Sequence, residues 1–486
     1  MIRALAAGVI LSSAGCAQLA GIDSTSGTGR AADTLALQRV SIGATVSSAD
    51  LDLTGLTASY LVAGDGGTQI VAADSPAPGM WHADLADPAP VEFTLPDVPT
   101  PIPRIFAFPD RAMAAAYVSL EHPGRTPVPA ASMITLNVPL DVPTTATDGF
   151  EILTAGSWTV RGFAATELPP IGTAAIGPVT YDFTTSLSLS GRPLDKLTSQ
   201  DAFFVLRYAG ALLTGVATAT PFEQTGADMV TTATMAPVTA NQMLNLKVDP
   251  PSIMTRYQAV RPAVAGLAMS WSASAAPGYA YASNTGPALQ SGTVAMTDVG
   301  ITSMYGNPFT GRMWNTIVTF VTSETRTYTP AGTTTPATLV AGMNQFIEPS
   351  VGAMLDLPAG LPLSITLGGM PLVTDGTPVA KPTDFVQVTF QTDKQMATLY
   401  NLQVFDLLPN AMTPPTALEG HLVLSAAGSE PMFSVPPEIF QVGHSYTLRA
   451  FATTGGYPAM ASGNFQMRAL PLAQSYFDSA VIVVTP

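Results

Sequence analysis

Side chains able to do chemistry are sparse and scattered in this chain. The four histidines, His82, His122, His421 and His444, lie far apart in sequence. None has the helical i, i+4 pairing that brings two imidazoles to one zinc ion. A single histidine among strand-forming residues reads most simply as a surface or strand residue. No Gly-x-Ser-x-Gly elbow and no Ser-x-x-Lys pair occurs, so serine catalysis from a local motif has no signature. A triad or a pair of carboxylates assembled from distant segments stays open, because its spacing is a three-dimensional fact. Asp50-Leu51-Asp52, Gly64-Asp65-Gly66-Gly67 and the pair Asp195 and Asp201 offer oxygens of the kind calcium accepts. They lack the dense alternating carboxylates of a dedicated loop, and hairpin turns explain them more simply. We therefore assign no catalytic residue, no metal ligand and no cofactor.

Four tryptophans, Trp81, Trp158, Trp271 and Trp314, provide flat apolar rings on which a sugar could stack. Trp314 follows the aromatic turn Tyr305-Gly306-Asn307-Pro308-Phe309-Thr310-Gly311, expected to be exposed, and Trp81 sits beside Pro78-Gly79 and His82. These two are the candidate ligand-stacking residues. Trp158 lies in a strand pattern and reads as core.

The single cysteine, Cys16, has a different chemistry open to it. It follows Met1-Ile2-Arg3 and the short apolar run Ala4-Leu5-Ala6-Ala7-Gly8-Val9-Ile10-Leu11, a signal peptide over residues 1–15 and too short to span a bilayer permanently. Ser13-Ala14-Gly15-Cys16 resembles the lipobox of bacterial lipoproteins, with Ser13 where that family usually has Leu. The resemblance implies that Cys16 is acylated and becomes the new N-terminus. It also implies outer-membrane sorting, since Ala17 is not the Asp that retains many such proteins at the inner membrane. Cleavage by the ordinary signal peptidase, with Cys16 incidental, is the alternative. Either way no disulfide can form within the mature chain. Residues 16–40 begin with small polar residues and Gly, as in Ser24-Thr25-Ser26-Gly27-Thr28-Gly29, and read as a flexible tether.

Composition limits the partners. Charged residues are 11% of the chain and its net charge is −15, so nucleic acid and anionic headgroups are repelled. Apolar content of 47% excludes disorder. The 486 residues, at about 150 per domain, suggest roughly three domains.

The elements that must position any site are strands. Period-two alternation marks Leu361 to Leu367, the set Val386, Val388 and Phe390, the set Ile134, Leu136 and Val138, and the set Leu244, Leu246 and Val248. The chain's 41 Gly and 43 Pro break these runs too often for long helices. Asp375-Gly376 predicts a tight hairpin, and residues 329–336 form either a linker or, as we favour, a long hairpin loop. Two pairs of segments echo one another: Ser157 to Ala164 with Ser445 to Ala452, and Pro127 to Val138 with Pro237 to Val248. The last 125 or so residues predict about seven strands, starting near Leu361, Phe385, Leu399, Leu418, Met432, Ser445 and Ala480. There, Pro436 to Ala450 resembles the part of fibronectin type III domains where a Gly-containing turn leads into a Tyr-x-Leu-x-Ala strand. That resemblance implies a tyrosine corner at Tyr446, its hydroxyl bonding back to the preceding connection. The buried Trp of that family's early strand is absent from this stretch.

The expected molecule is all-β: about three tandem β-sandwich modules of immunoglobulin or fibronectin III type, at 41–190, 191–350 and 351–486, behind the signal peptide and tether. The expected role is that of an outer-membrane lipoprotein facing the periplasm or the cell surface. It would be a non-enzymatic scaffold, or bind a protein or glycan through its loops, with the membrane held through its lipid. A carbohydrate-binding protein using Trp314 or Trp81 is the alternative, and a hydrolase with a spatially assembled site a third.

Overall fold

The computed structural model describes strand segments between residues 33 and 119, and the chain from 133 to 486 apart from 156–158, 164–165, 183–195, 200, 221, 227–228, 278–285, 331–333, 351, 394–398, 429, 458–463 and 466–468. The signal peptide, Cys16, His122, Trp158, Asp65 and Asp195 lie outside the described residues. The fold is all-β, with one α-helix among the described residues, Pro250–Val260. Its start was written in the chain. Asp249 caps it by accepting the Ser252 N–H, and Pro250 and Pro251 occupy the first turn, where no intrahelical N–H is needed.

The alternating segments form half-buried strands as expected. Ile134, Leu136 and Val138 of Met133–Pro139 are buried, as are Leu244, Leu246 and Val248 of Gln242–Val248. These two strands, which echo each other in sequence, also share a pairing pattern. Met133–Pro139 lies between the antiparallel Ala175–Asp182 and the parallel Met229–Thr232. Gln242–Val248 lies between the antiparallel Gly300–Tyr305 and the parallel Ala353–Leu355.

Several expectations are corrected by long-range pairing. The tether, expected to reach residue 40, gives way earlier to the strand Asp33–Ile42, which pairs with Val46–Asp50, Met80–Ala83 and Ala112–Ser119. The expected divisions at 190/191 and 350/351 are both crossed. Asp148–Thr154 pairs with Phe203–Ala209, and Ala337–Ile347 pairs with Leu472–Asp478. The run Phe203-Phe204-Val205-Leu206 shows why the first division fails. Phe203 and Val205 enter one core with Ile134 and Phe150, while Phe204 and Leu206 enter a second with Leu153 and Trp314. A strand covered on both faces reads as a continuous apolar run.

The hairpin expected at Asp375-Gly376 is a turn of another kind. Thr377–Ala380 leaves it to pair in parallel with Ile482–Thr485, and Asp375 accepts the Val481 N–H at 2.8 Å. On either side of the 329–336 stretch, Trp314–Tyr328 and Ala337–Ile347 pair antiparallel up to Tyr328 opposite Ala337, as the two arms of a hairpin do. In the C-terminal stretch the strands Pro362–Leu367, Val386–Thr392 and Met432–Val435 share one sheet, with Leu399–Pro409, Leu418–Gly428 and Ser445–Gly455 in another. Leu472–Asp478 was missed by periodicity because it turns small residues, Ala473 and Ser475, toward the core.

Candidate functional site

The aromatic turn after Gly300–Tyr305 is built around Asn307. Its amide donates to the Trp314 carbonyl at 3.0 Å and to Thr316 Oγ1 at 3.2 Å, and its side-chain oxygen accepts the Phe309 N–H at 2.9 Å. With both ends of the amide used, the loop has one conformation to settle into. Met313 closes the turn at φ 58°, left-handed backbone that a side chain rarely adopts, and this swings Trp314 inward. Trp314, expected to be exposed, is 1% exposed. Its ring packs against Phe309 at 5.0 Å and Phe204 at 6.2 Å, with the Arg312 guanidinium 4.9 Å over Phe204. A buried indole of this kind cannot serve as a stacking platform.

Above this aromatic floor lies a shallow cavity of about 230 Å³ lined by Gln242, Asn307, Thr310, Trp314, Asn315, Thr316, Glu348 and Pro349. Asn307 and Thr316 are committed to the protein. The side chains of Gln242, Thr310, Asn315 and Glu348 have no protein partner among the described residues. They place two amides, a hydroxyl and a carboxylate around one opening. Thr316 is also held by the Tyr305 hydroxyl, whose pKa burial pushes up while that bond draws it down. No family model matches the chain.

No curated protein sequence matches it either. Solved structures that align over most of its length include the following two. One is Escherichia coli alpha-2-macroglobulin activated by porcine elastase, at 9% identity and a TM-score of 0.15, covering 93% of this chain and 43% of that one. The other is a tetra-tandem repeat in the extending region of a large adhesion protein, at 11% identity and a TM-score of 0.10, covering 86% and 95%. The chain spans less than half the length of the first. Likeness this loose carries no argument about fold or role.

The remaining candidates separate into structural roles. Trp81 lies in Met80–Ala83 opposite Leu35; its side chain, like that of His82, is outside the described residues. Asp50 accepts from Gln38 on the neighbouring strand at 3.4 Å, and Asp201 accepts the Thr198 N–H at 2.7 Å and its hydroxyl at 3.2 Å. Among the described residues no three His, Cys, Asp or Glu are grouped to hold a metal. His444 and His421, 23 positions apart in sequence, flank the same acid. His444 Nδ1 is 2.8 Å from Asp406 Oδ2, and His421 lies opposite Asp406 on the next strand. Tyr446, one strand over, accepts the Gln441 N–H on its hydroxyl at 2.9 Å. The cavity residues escaped sequence reasoning, because a free amide or carboxylate in a β-rich chain carries no motif; only the Asn307-Pro308 turn hinted at them.

Proposed function

We propose that this chain is an outer-membrane-anchored, non-catalytic binding and scaffolding protein, held through an acylated Cys16 and engaging its partner through loops at the sheet ends. The observation that carries the reading is the loop-end cavity. It is lined by groups that hydrogen-bond, with Glu348 its one carboxylate and no second acid or histidine beside it to complete an acid–base pair. The lipobox-like Ser13-Ala14-Gly15-Cys16 and the following Ala17 support the anchor and its address. Sandwich-like packed sheets, fibronectin III-like toward the C-terminus, make up the body. The recurring antiparallel-and-parallel pairing around the two echoed strands supports a repeated sheet arrangement, and the bond from the Gln441 N–H to the Tyr446 hydroxyl supports the fibronectin III-like likeness.

The anchor is tested by fractionation. The parent chain should sediment with the outer membrane and be extracted by detergent, while Cys16→Ala should appear in the soluble fraction. A Cys16→Ala chain as membrane-bound as the parent would rule the lipid out.

A further inference from the structure

The cavity beside Trp314 admits a narrower reading, which rests on the binding role proposed above. We infer that it is a site for one neutral sugar unit of a glycan, recognised through its hydroxyls by Gln242, Thr310, Asn315 and Glu348.

Size and charge both select the ligand. At about 230 Å³ the cavity is smaller than the clefts of about 300–1,000 Å³ that engulf drug-sized ligands, so it takes a single ring or a chain end. Glu348 is the one ionisable lining group, and the chain carries a net charge of −15, which together repel sulfated, phosphorylated and uronic sugars. No second carboxylate lines the opening to hold a metal ion or a doubly charged cation. What remains is a neutral ligand rich in donors and acceptors. An amide both donates and accepts, and a carboxylate accepts from two hydroxyls at once, which is the pattern that neighbouring sugar hydroxyls satisfy.

The floor is set before the ligand arrives. Asn307 spends all its bonds on the turn, and the Phe204, Phe309 and Trp314 rings lock the wall beneath. A rigid floor lowers the ordering cost of binding. Trp314 thus acts from below, by shaping the cavity rather than by stacking. Exposed apolar side chains surround this end of the sheet, with Met243 and Met304 facing each other across paired strands and Met313 78% exposed on the turn. These are available to the C–H faces of adjoining units.

The full chain is screened on an array of neutral and acidic glycans, and hits are titrated by calorimetry. The expected result is binding to neutral glycans, with a dissociation constant on the order of 1 mM for a single unit, and no binding to acidic ones. Gln242→Ala and Glu348→Ala should each weaken it at least tenfold with unchanged melting temperature, as both side chains lack protein partners. No binding to any neutral glycan, or binding untouched by the Gln242→Ala, Glu348→Ala double variant, overturns the site and leaves the anchored-scaffold reading standing. Release of reducing ends from a bound glycan, lost in the double variant, would keep the site and overturn the non-catalytic reading.

Discussion

Arg207 is a guanidinium 6% exposed in the middle of a strand, and every bond it makes is needed there. It donates to the Val142 and Pro143 carbonyls at 2.6 and 2.9 Å and to Asp148 Oδ2 at 2.6 Å. Burial alone would raise the Asp148 carboxyl, but the bonds from Arg207 and the Thr145 N–H outweigh it and hold the pKa below the ordinary value. A folded pKa below the unfolded one means stability present above the usual carboxylate range and lost as pH falls through the folded value. Arg207→Met should therefore cost about 3–5 kcal/mol near neutral pH, by leaving Asp148 uncompensated. It should also flatten the acid limb of the stability profile, read from urea midpoints between pH 7 and 2. Glu151 behaves oppositely. Burial raises its pKa, with the Tyr208 hydroxyl pulling partly back, so its contribution is greatest below the ordinary glutamate range and is lost as pH rises through the folded value. Glu151→Gln should raise the urea midpoint at pH 7 and leave it nearly unchanged at pH 4.

At the scale of elements, the turn from Asn307 to Trp314 shows how a local rule is broken for a tertiary gain. Met313 accepts a left-handed backbone that costs about 1–2 kcal/mol, and in return a whole indole enters the core. Trp314→Ala should cost about 3–5 kcal/mol in denaturant unfolding and abolish glycan binding with the floor. Met313→Gly, which removes the strain but adds unfolded-state entropy, should change stability by no more than about 1 kcal/mol. Sequence placed this turn correctly and misjudged its exposure. Phe309 and Trp314 look like exposed aromatics when nothing covers them, and Phe204, about a hundred positions earlier, is what does.

Over the whole molecule, the largest core runs from Leu153 to Val484 and ignores both expected divisions. Polar contacts cross the second of these divisions as well. Arg256 reaches Asp393 at 2.6 Å and the Leu357 and Ala359 carbonyls at 2.5 Å. Arg261 pairs with Glu324 and donates to the Asp478 carbonyl at 3.2 Å, while Asp478 holds Arg449 at 2.5 Å and the Val340 N–H at 2.8 Å. With core and charges shared, Phe203–Ala209, Trp314–Tyr328 and Ser445–Gly455 should open in one cooperative step. Native-state hydrogen exchange should give all three strands the same opening free energy. Separate values on either side of residue 350 would show independent units instead.

Sequence by itself determined the class of this protein and the inward face of its strands, because a period-two pattern is a local property of the backbone and survives without knowledge of partners. Ile134, Leu246, Ile365 and Val388 are buried where alternation put them. The helix start at Asp249-Pro250-Pro251 is equally local, its chemistry complete within four residues, but it was recognised only in the structure. The tertiary structure alone decided which strands meet, that Asp33–Ile42 belongs to a sheet, and that Trp314 faces inward. It alone brought Gln242, Asn315 and Glu348, spread over more than a hundred positions, around one cavity. Such meetings depend on pairing between distant strands, and the free energy that selects them belongs to a shared core rather than to any one segment.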